Sequence, residues 1–177
     1  MLAAADNILR IINFLFLVIC IGLVSALINT QQHHVSRVNF CMFTAAYGIA
    51  TDSVYGVFAN FFEPLAWPAV LLVLDFLNFA FTFSAGTVMA VGIRTHSCSN
   101  QSYLDGNSII QGSGNRCRMS QAYTAFIYFS MFIFFIKMVM SGLNMSQNGA
   151  FTSPSFISRR RRRGGAASQG IPNISQV

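Results

Sequence analysis

Charge is what this sequence has least of. Only 9% of its 177 residues are Asp, Glu, Lys or Arg, against roughly 25% in soluble domains. Hydrophobic residues make up 54%. That scarcity excludes an ordinary water-facing surface. The formal charge of +6 does not describe a basic face, because five of the eleven Lys and Arg residues form one run, Arg159–Arg163. Nucleic acid is therefore not an expected partner. No nucleophile–base arrangement stands in a water-accessible segment, so neither catalytic residues nor enzymatic activity are expected. No cofactor or metal is expected either: His33-His34 has no cysteine or carboxylate near it in sequence. Gly112-Ser113-Gly114-Asn115 opens no strand–turn–helix unit, as a phosphate-binding loop would. Heptad arrays and solenoid repeats are also missing.

What is present is long and apolar. Trp67–Ile93 carries a single charge, Asp75, and as a helix it would run about 40 Å at 1.5 Å per residue. A hydrocarbon core is ~30 Å thick, so this stretch spans it with tilt to spare. Trp67 suits the headgroup level and Pro68 a first helical turn. Three further segments read as spans. Ile8–Ile28 is interrupted only by Arg10, whose stem can snorkel to the interface. Val24-Ser25-Ala26 resembles a signal-peptide cleavage site, but the apolar run is longer than a typical signal core, which favours a retained helix. Asn39–Phe62 is more polar, and a hydropathy window alone would pass over it. Its periodicity identifies it: Gly48, Asp52, Gly56 and Asn60 fall four apart on one face, with Phe40, Phe43, Val54, Phe58 and Phe61 elsewhere. Glu63-Pro64 then breaks the helix and makes the second and third spans an antiparallel hairpin. Ala122–Leu143 is the fourth span.

The expected architecture is all-α: an integral membrane four-helix bundle over residues 1–144, with spans at 8–28, 39–62, 67–93 and 122–143. A disordered basic tail over 145–177 follows. Gly48, Gly56, Gly86 and Ala90 are the small residues expected to let helices approach closely.

Four spans place both termini on one side. The Arg159–Arg163 run marks that side as cytosolic, although without it Arg37, Arg94, Arg116 and Arg118 would outvote Arg10. Cys98 and Cys117 bracket the long connector as a disulfide would in an oxidising compartment; two unrelated cytosolic thiols are the other reading. Tyr103–Ile110, with Asp105-Gly106-Asn107 at its centre, reads as a small hairpin. Asn100-Gln101-Ser102 is an N-glycosylation acceptor in the same loop. Cys20 and Cys41 read as apolar fillers.

Three ionisable residues lie inside spans: Asp52, Asp75 and Lys137. Such residues are functional candidates by default. They can meet as a buried cluster, either an ion pair that fixes which helix faces which or a proton or ion relay. Arg159, Arg160, Arg161, Arg162 and Arg163 would face the anionic inner leaflet or a sorting receptor, and phosphates on Ser153, Ser155 or Ser158 would oppose the attraction.

The strings DNILRIINFLFLVI (Asp6–Ile19), YGVFANFFEPLAWP (Tyr55–Pro68), LDFLNFAFTFSAGTV (Leu74–Val88), AVGIRTHSC (Ala90–Cys98), QGSGNRCR (Gln111–Arg118) and the terminal PNISQV closely resemble the fungal non-classical export protein family, four-span MARVEL-domain proteins. The likeness runs from the N-terminus to about Ala150 and returns at the last six residues. It implies a plasma-membrane protein of eisosome-type furrow microdomains, with roles in organising that compartment, in responding to sphingolipid levels and in export without a signal peptide. The expected partners are membrane lipids (sphingolipid, sterol, anionic inner-leaflet lipid), eisosome proteins and a further copy of the chain. The resemblance supplies no catalytic residues. A small transporter or channel using Asp52, Asp75 and Lys137 is the alternative, disfavoured because no span is broken by Gly or Pro and no internal repeat is present.

Overall fold

A computed structural model describes residues 2–55, 68–94 and 96–148. Helix α1 runs Leu2–Asn29 and α2 runs Ser36–Gly48, continuing through a π-helical stretch, Ile49–Val54. Helix α3 is Pro68–Ile93, α4 is the short Gln101–Gly106, and α5 is Gly114–Asn148. Three of these, α1, α3 and α5, are long and apolar enough to cross a membrane by themselves. Helix α2, with Thr44, Thr51, Asp52 and Ser53 along it, does not reach that threshold and takes its place through packing.

The four long elements form a ring in which α1 packs on α2, α2 on α3, α3 on α5 and α5 on α1, the α3–α5 contact being the most extensive. Each contributes to one core. Leu17, Cys20, Val24 and Leu27 come from α1, and Val38, Cys41 and Ala45 from α2. Ala85, Met89 and Ile93 meet them from α3, with Tyr123, Ile127 and Phe134 from α5. The outward faces remain apolar: Ile11, Val91, Phe132 and Leu143 are each about 60% exposed, at 63%, 64%, 58% and 58%. In water that surface would be prohibitive; against acyl chains it is the expected one.

Lipid removes most of the hydrophobic drive between helices, so close approach and polar contacts have to hold the ring. Gly48 is buried where an added Cβ would stand 3.0 Å from Leu17 Cδ1. At Gly86 a Cβ would stand 3.2 Å from both Ile127 Cγ2 and Tyr128 Cε1. Ala90 is half-buried on the same helix. Gly56, Asn60, Phe58 and the Glu63-Pro64 break lie outside the described residues, as does the run Arg159–Arg163.

One expectation is corrected, and the last helix runs beyond both ends of the apolar span. The connector after Arg94 contains no hairpin: Tyr103 and Leu104 lie in helix α4, and Asp105-Gly106 forms its last turn. The side chain of Asn100 caps that helix by accepting from Tyr103 N at 3.4 Å, and Asn107 Oδ1 accepts from Ile109 N and Ile110 N at 2.9 and 3.2 Å. These side-chain caps use the backbone donors that a strand ladder would need. Helix α5 begins at Gly114 instead of Ala122, because Arg116, Cys117 and Ser120 are buried against the loop and continue the helix beyond the apolar run. It also extends to Asn148, so the first residues assigned to the tail are helical.

Candidate functional site

The residues expected to cluster do meet, in the half of the bundle nearer the termini. Lys137 on α5 is fully buried, and its ammonium contacts Asp52 on the π-helical stretch and Asp75 on α3, the latter at 3.1 Å. Ser141, one turn further along α5, donates to Asp75 Oδ2 at 2.7 Å. Lys137 Nζ also lies 5.4 Å from the centre of the Phe134 ring.

Two further members were not anticipated. Arg10 does not snorkel: its guanidinium bonds Asp52 Oδ1 at 2.8 Å and the Asp52 carbonyl oxygen at 3.0 Å. Its Nε reaches Asp6 at 2.8 Å, leaving the side chain only 13% exposed. Asn13, fully buried one turn along, donates to Asp52 Oδ2 at 2.8 Å. The signal was available in part, since Asp6 and Arg10 stand four apart, the spacing of a helical ion pair. An internal acid on α2 gave that arginine a stronger reason to turn inward.

The buried centre of the arrangement is electrically balanced. Asp52 and Asp75 face Lys137 and Arg10, so four helical elements share two charges of each sign there, while the partly exposed Asp6 adds a third acid at the outer edge of Arg10. An isolated charge in this setting would cost several kcal/mol, and the closed set avoids that penalty. The π-helical stretch contributes by loosening the turn that carries Asp52. Tyr55 N–H reaches back to Ala50 O, and Arg10 satisfies the Asp52 carbonyl. Thr51 hydrogen-bonds both the Tyr47 carbonyl and Asn78 of α3, at 2.8 and 3.1 Å. Wide turns of this kind recur where a helix must re-aim a side chain. Chemically the cluster is a four-way lock; among the described residues Asn13 Oδ1, and Ser53 Oγ next to Asp52, are buried there without a partner.

The opposite end is organised by the connector. Cys98 and Cys117 form a disulfide with Cα atoms 5.7 Å apart. Cys20 and Cys41 are free and buried. Arg116, counted in the sequence merely as a charge, is a buried clamp: it donates to Ile109 O, Leu27 O and Thr30 Oγ1 at 2.7–3.1 Å, closing the carbonyl end of α1. Gln111 donates to His33 O at 3.0 Å, and His34 pairs with Asn39 at 2.8 Å. Asn100 is exposed. Tyr103 hydrogen-bonds the Ile93 carbonyl; burial raises its phenol pKa above the usual value, and nearby Arg94 opposes the rise.

Comparison with known proteins agrees with this architecture. The MARVEL family, described as a membrane-associating domain, matches residues 2–140. Non-classical export protein 2 of Saccharomyces cerevisiae is 69% identical over 177 residues, covering 100% of both chains. Its homolog 1 in the same yeast is 60% identical over the same extent, and non-classical export protein 102 of Candida albicans is 51% identical over 178 residues, again covering both chains fully. No solved structure matches. With a family match across most of its length and full-length relatives at this identity, the chain belongs to the MARVEL family of membrane-associating proteins, within its non-classical export group.

Proposed function

We propose that this protein is a non-enzymatic organiser of plasma-membrane microdomains of the eisosome type, with both termini cytosolic. In this role it gathers lipid, sphingolipid and sterol among them, together with partner proteins and further copies of itself. The names of its relatives extend the proposal to export of proteins that lack a signal peptide. The observation that carries the reading is the closed charge set: Lys137, Asp52, Asp75 and Arg10 are committed to one another, which suits a scaffold better than a conduit. The run Arg159–Arg163 would add contact with the anionic inner leaflet, each residue contributing about 1 kcal/mol near the surface.

Transport is the second reading, and one observation favours it: Asn13 Oδ1 is buried and unpartnered beside Asp52, where a water or ion would find an acceptor. Two measurements separate the readings. Fluorescently tagged full-length protein should concentrate in static plasma-membrane patches, and a separately tagged resident of those patches should disperse when the gene is deleted and regroup on its return. Proteoliposomes of the purified chain should hold an imposed pH gradient as long as empty vesicles do. Rapid dissipation that Lys137→Met abolishes, with no patches in cells, overturns the organiser and supports the conduit.

A further inference from the structure

At the end of the bundle opposite the charge lock, a cavity of about 460 Å³ lies between the connector and the ends of α2 and α3. Its polar lining includes Arg37 from α2, Arg94 and His96 just past α3, and Ser102, Tyr103, Asn107 and Ser108 from the connector. Among the described residues no carboxylate lines it. Asp105, the acid of α4, accepts from Gln101 at 3.0 Å and lines the neighbouring cavity beside His33 and His34. Among the described residues neither Arg37 nor Arg94 has an ion-pair partner. Both are exposed, so two positive charges without a counter-charge stand at the cavity where an anion can reach them.

The backbone is shaped around the pair. Arg94 sits in the left-handed region at φ 49°, a conformation usual for Gly or Asn after a helix and unfavourable for a longer side chain. Gly92 supplies the second adaptation. A Cβ there would collide with Ile109 Cδ1, so the bare α3 backbone seats the connector closely, with Arg37 Nη1 3.4 Å from the same point. Asn107 Nδ2 holds this wall by donating to the Gly92 carbonyl at 2.9 Å. Below the rim Val91 is 64% exposed and belongs to the apolar part of α3, so the cavity opens where helix gives way to headgroups.

We propose that this cavity binds the phosphate-bearing headgroup of a lipid in the adjoining leaflet. Arg37 and Arg94 clamp the phosphate, as guanidinium pairs do well. Ser102, Ser108 and His96 offer hydrogen bonds to the polar group beyond it. The volume falls within the ~300–1,000 Å³ of small-molecule sites, more than a lone phosphate fills. A soluble phosphate ester shares this chemistry, and Val91 at the rim favours the lipid. The proposal rests on the membrane-organising reading only in taking its ligand from the bilayer.

The test titrates the purified full-length chain with short-chain phosphatidylinositol, with the diacylglycerol that lacks its headgroup, and with inorganic phosphate, counting bound ligand by native mass spectrometry. Phosphatidylinositol is expected to bind one to one and diacylglycerol to fail. Arg37→Gln and Arg94→Gln should each weaken binding tenfold or more, whereas Arg118→Gln, which does not line the cavity, should leave it unchanged. Arg94→Gly removes the guanidinium and relieves the left-handed backbone. It should melt higher than the parent yet bind no better than Arg94→Gln, which separates lost binding from lost folding. Inorganic phosphate competing at the same concentration as phosphatidylinositol would overturn the lipid as the source. Absent binding, or binding indifferent to both arginines, would overturn the site. Patches that persist in cells while the purified chain binds nothing would sink the headgroup site alone and leave the organiser standing.

Discussion

Lys137 has two acids and Asp75 has one base, and that asymmetry ranks the effects of removing each. Replacing Lys137 with Met leaves Asp75, among the described residues, with the Ser141 hydroxyl alone, while Asp52 keeps Arg10 and Asn13. A stranded buried charge typically costs 3–5 kcal/mol. Asp75→Asn is milder, because Lys137 retains Asp52 and the new amide can still accept from Ser141. The double variant Asp75→Leu with Lys137→Met removes one charge of each sign and leaves Asp52 paired with Arg10. Thermal unfolding of the detergent-purified proteins should therefore rank the parent first, with the double variant close behind it, then Asp75→Asn, and Lys137→Met lowest. A double variant as unstable as Lys137→Met would show that the charges themselves, and not merely their balance, hold the helices. Well-folded single variants that lose function without rescue by the double would instead fit a relay, since an apolar pair carries no proton.

At the scale of elements, the long spans were legible because lipid imposes one unambiguous demand, an uninterrupted apolar stretch; α1 and α3 answer it directly. Helix α2 was legible only through the four-residue stripe of Gly48 and Asp52, because the π-helical stretch and its polar contacts depend on partners distant in sequence. Arg10 illustrates the limit. Its inward turn is determined by an acid 42 positions away, which no local pattern encodes. The connector misled for the opposite reason: Asp105-Gly106 is a strong local turn signal, but the Asn100 and Asn107 side chains outweigh it. Two predictions follow at this scale. Gly86→Leu should lower folded yield in detergent, since even its Cβ would stand 3.2 Å from Ile127 and Tyr128, whereas lipid-facing Phe132→Leu should change little. Equal losses would refute the division into packed and lipid-facing surfaces. Arg116→Met should destabilise by about 3 kcal/mol or more, because it uncovers the carbonyls of Leu27 and Ile109 together. Hydrogen exchange should report the loss first at the C-terminal turn of α1 and in the connector.

For the whole molecule, the two ends of the bundle carry opposing instructions about which way it faces. The connector end holds Arg37, Arg94, Arg116 and Arg118, and the terminal end of the described residues holds Arg10. On that count alone the positive-inside rule would turn the connector to the cytosol. The run Arg159–Arg163 begins 11 residues after the last turn of α5, at Asn148, within the ~15–20 residues over which the rule acts, and it reverses the count. Disulfide chemistry reads the same choice independently, because Cys98–Cys117 persists only where the connector meets an oxidising environment. Cys20 and Cys41 are buried and serve as silent internal controls. A membrane-impermeant maleimide applied to intact cells should thus label nothing at first, and should label Cys98 and Cys117 after an impermeant reductant. Replacing all five arginines of the run with Gln should convert part of the population to the reverse orientation, in which the two connector thiols are reduced and react only after permeabilisation. Labelling of Cys98 and Cys117 before any reductant would disprove the bonded, outward-facing connector. An unchanged pattern in the Gln variant would show that orientation is set elsewhere in the chain, with Arg10 and its carboxylate partners then counting as a neutral unit in the vote.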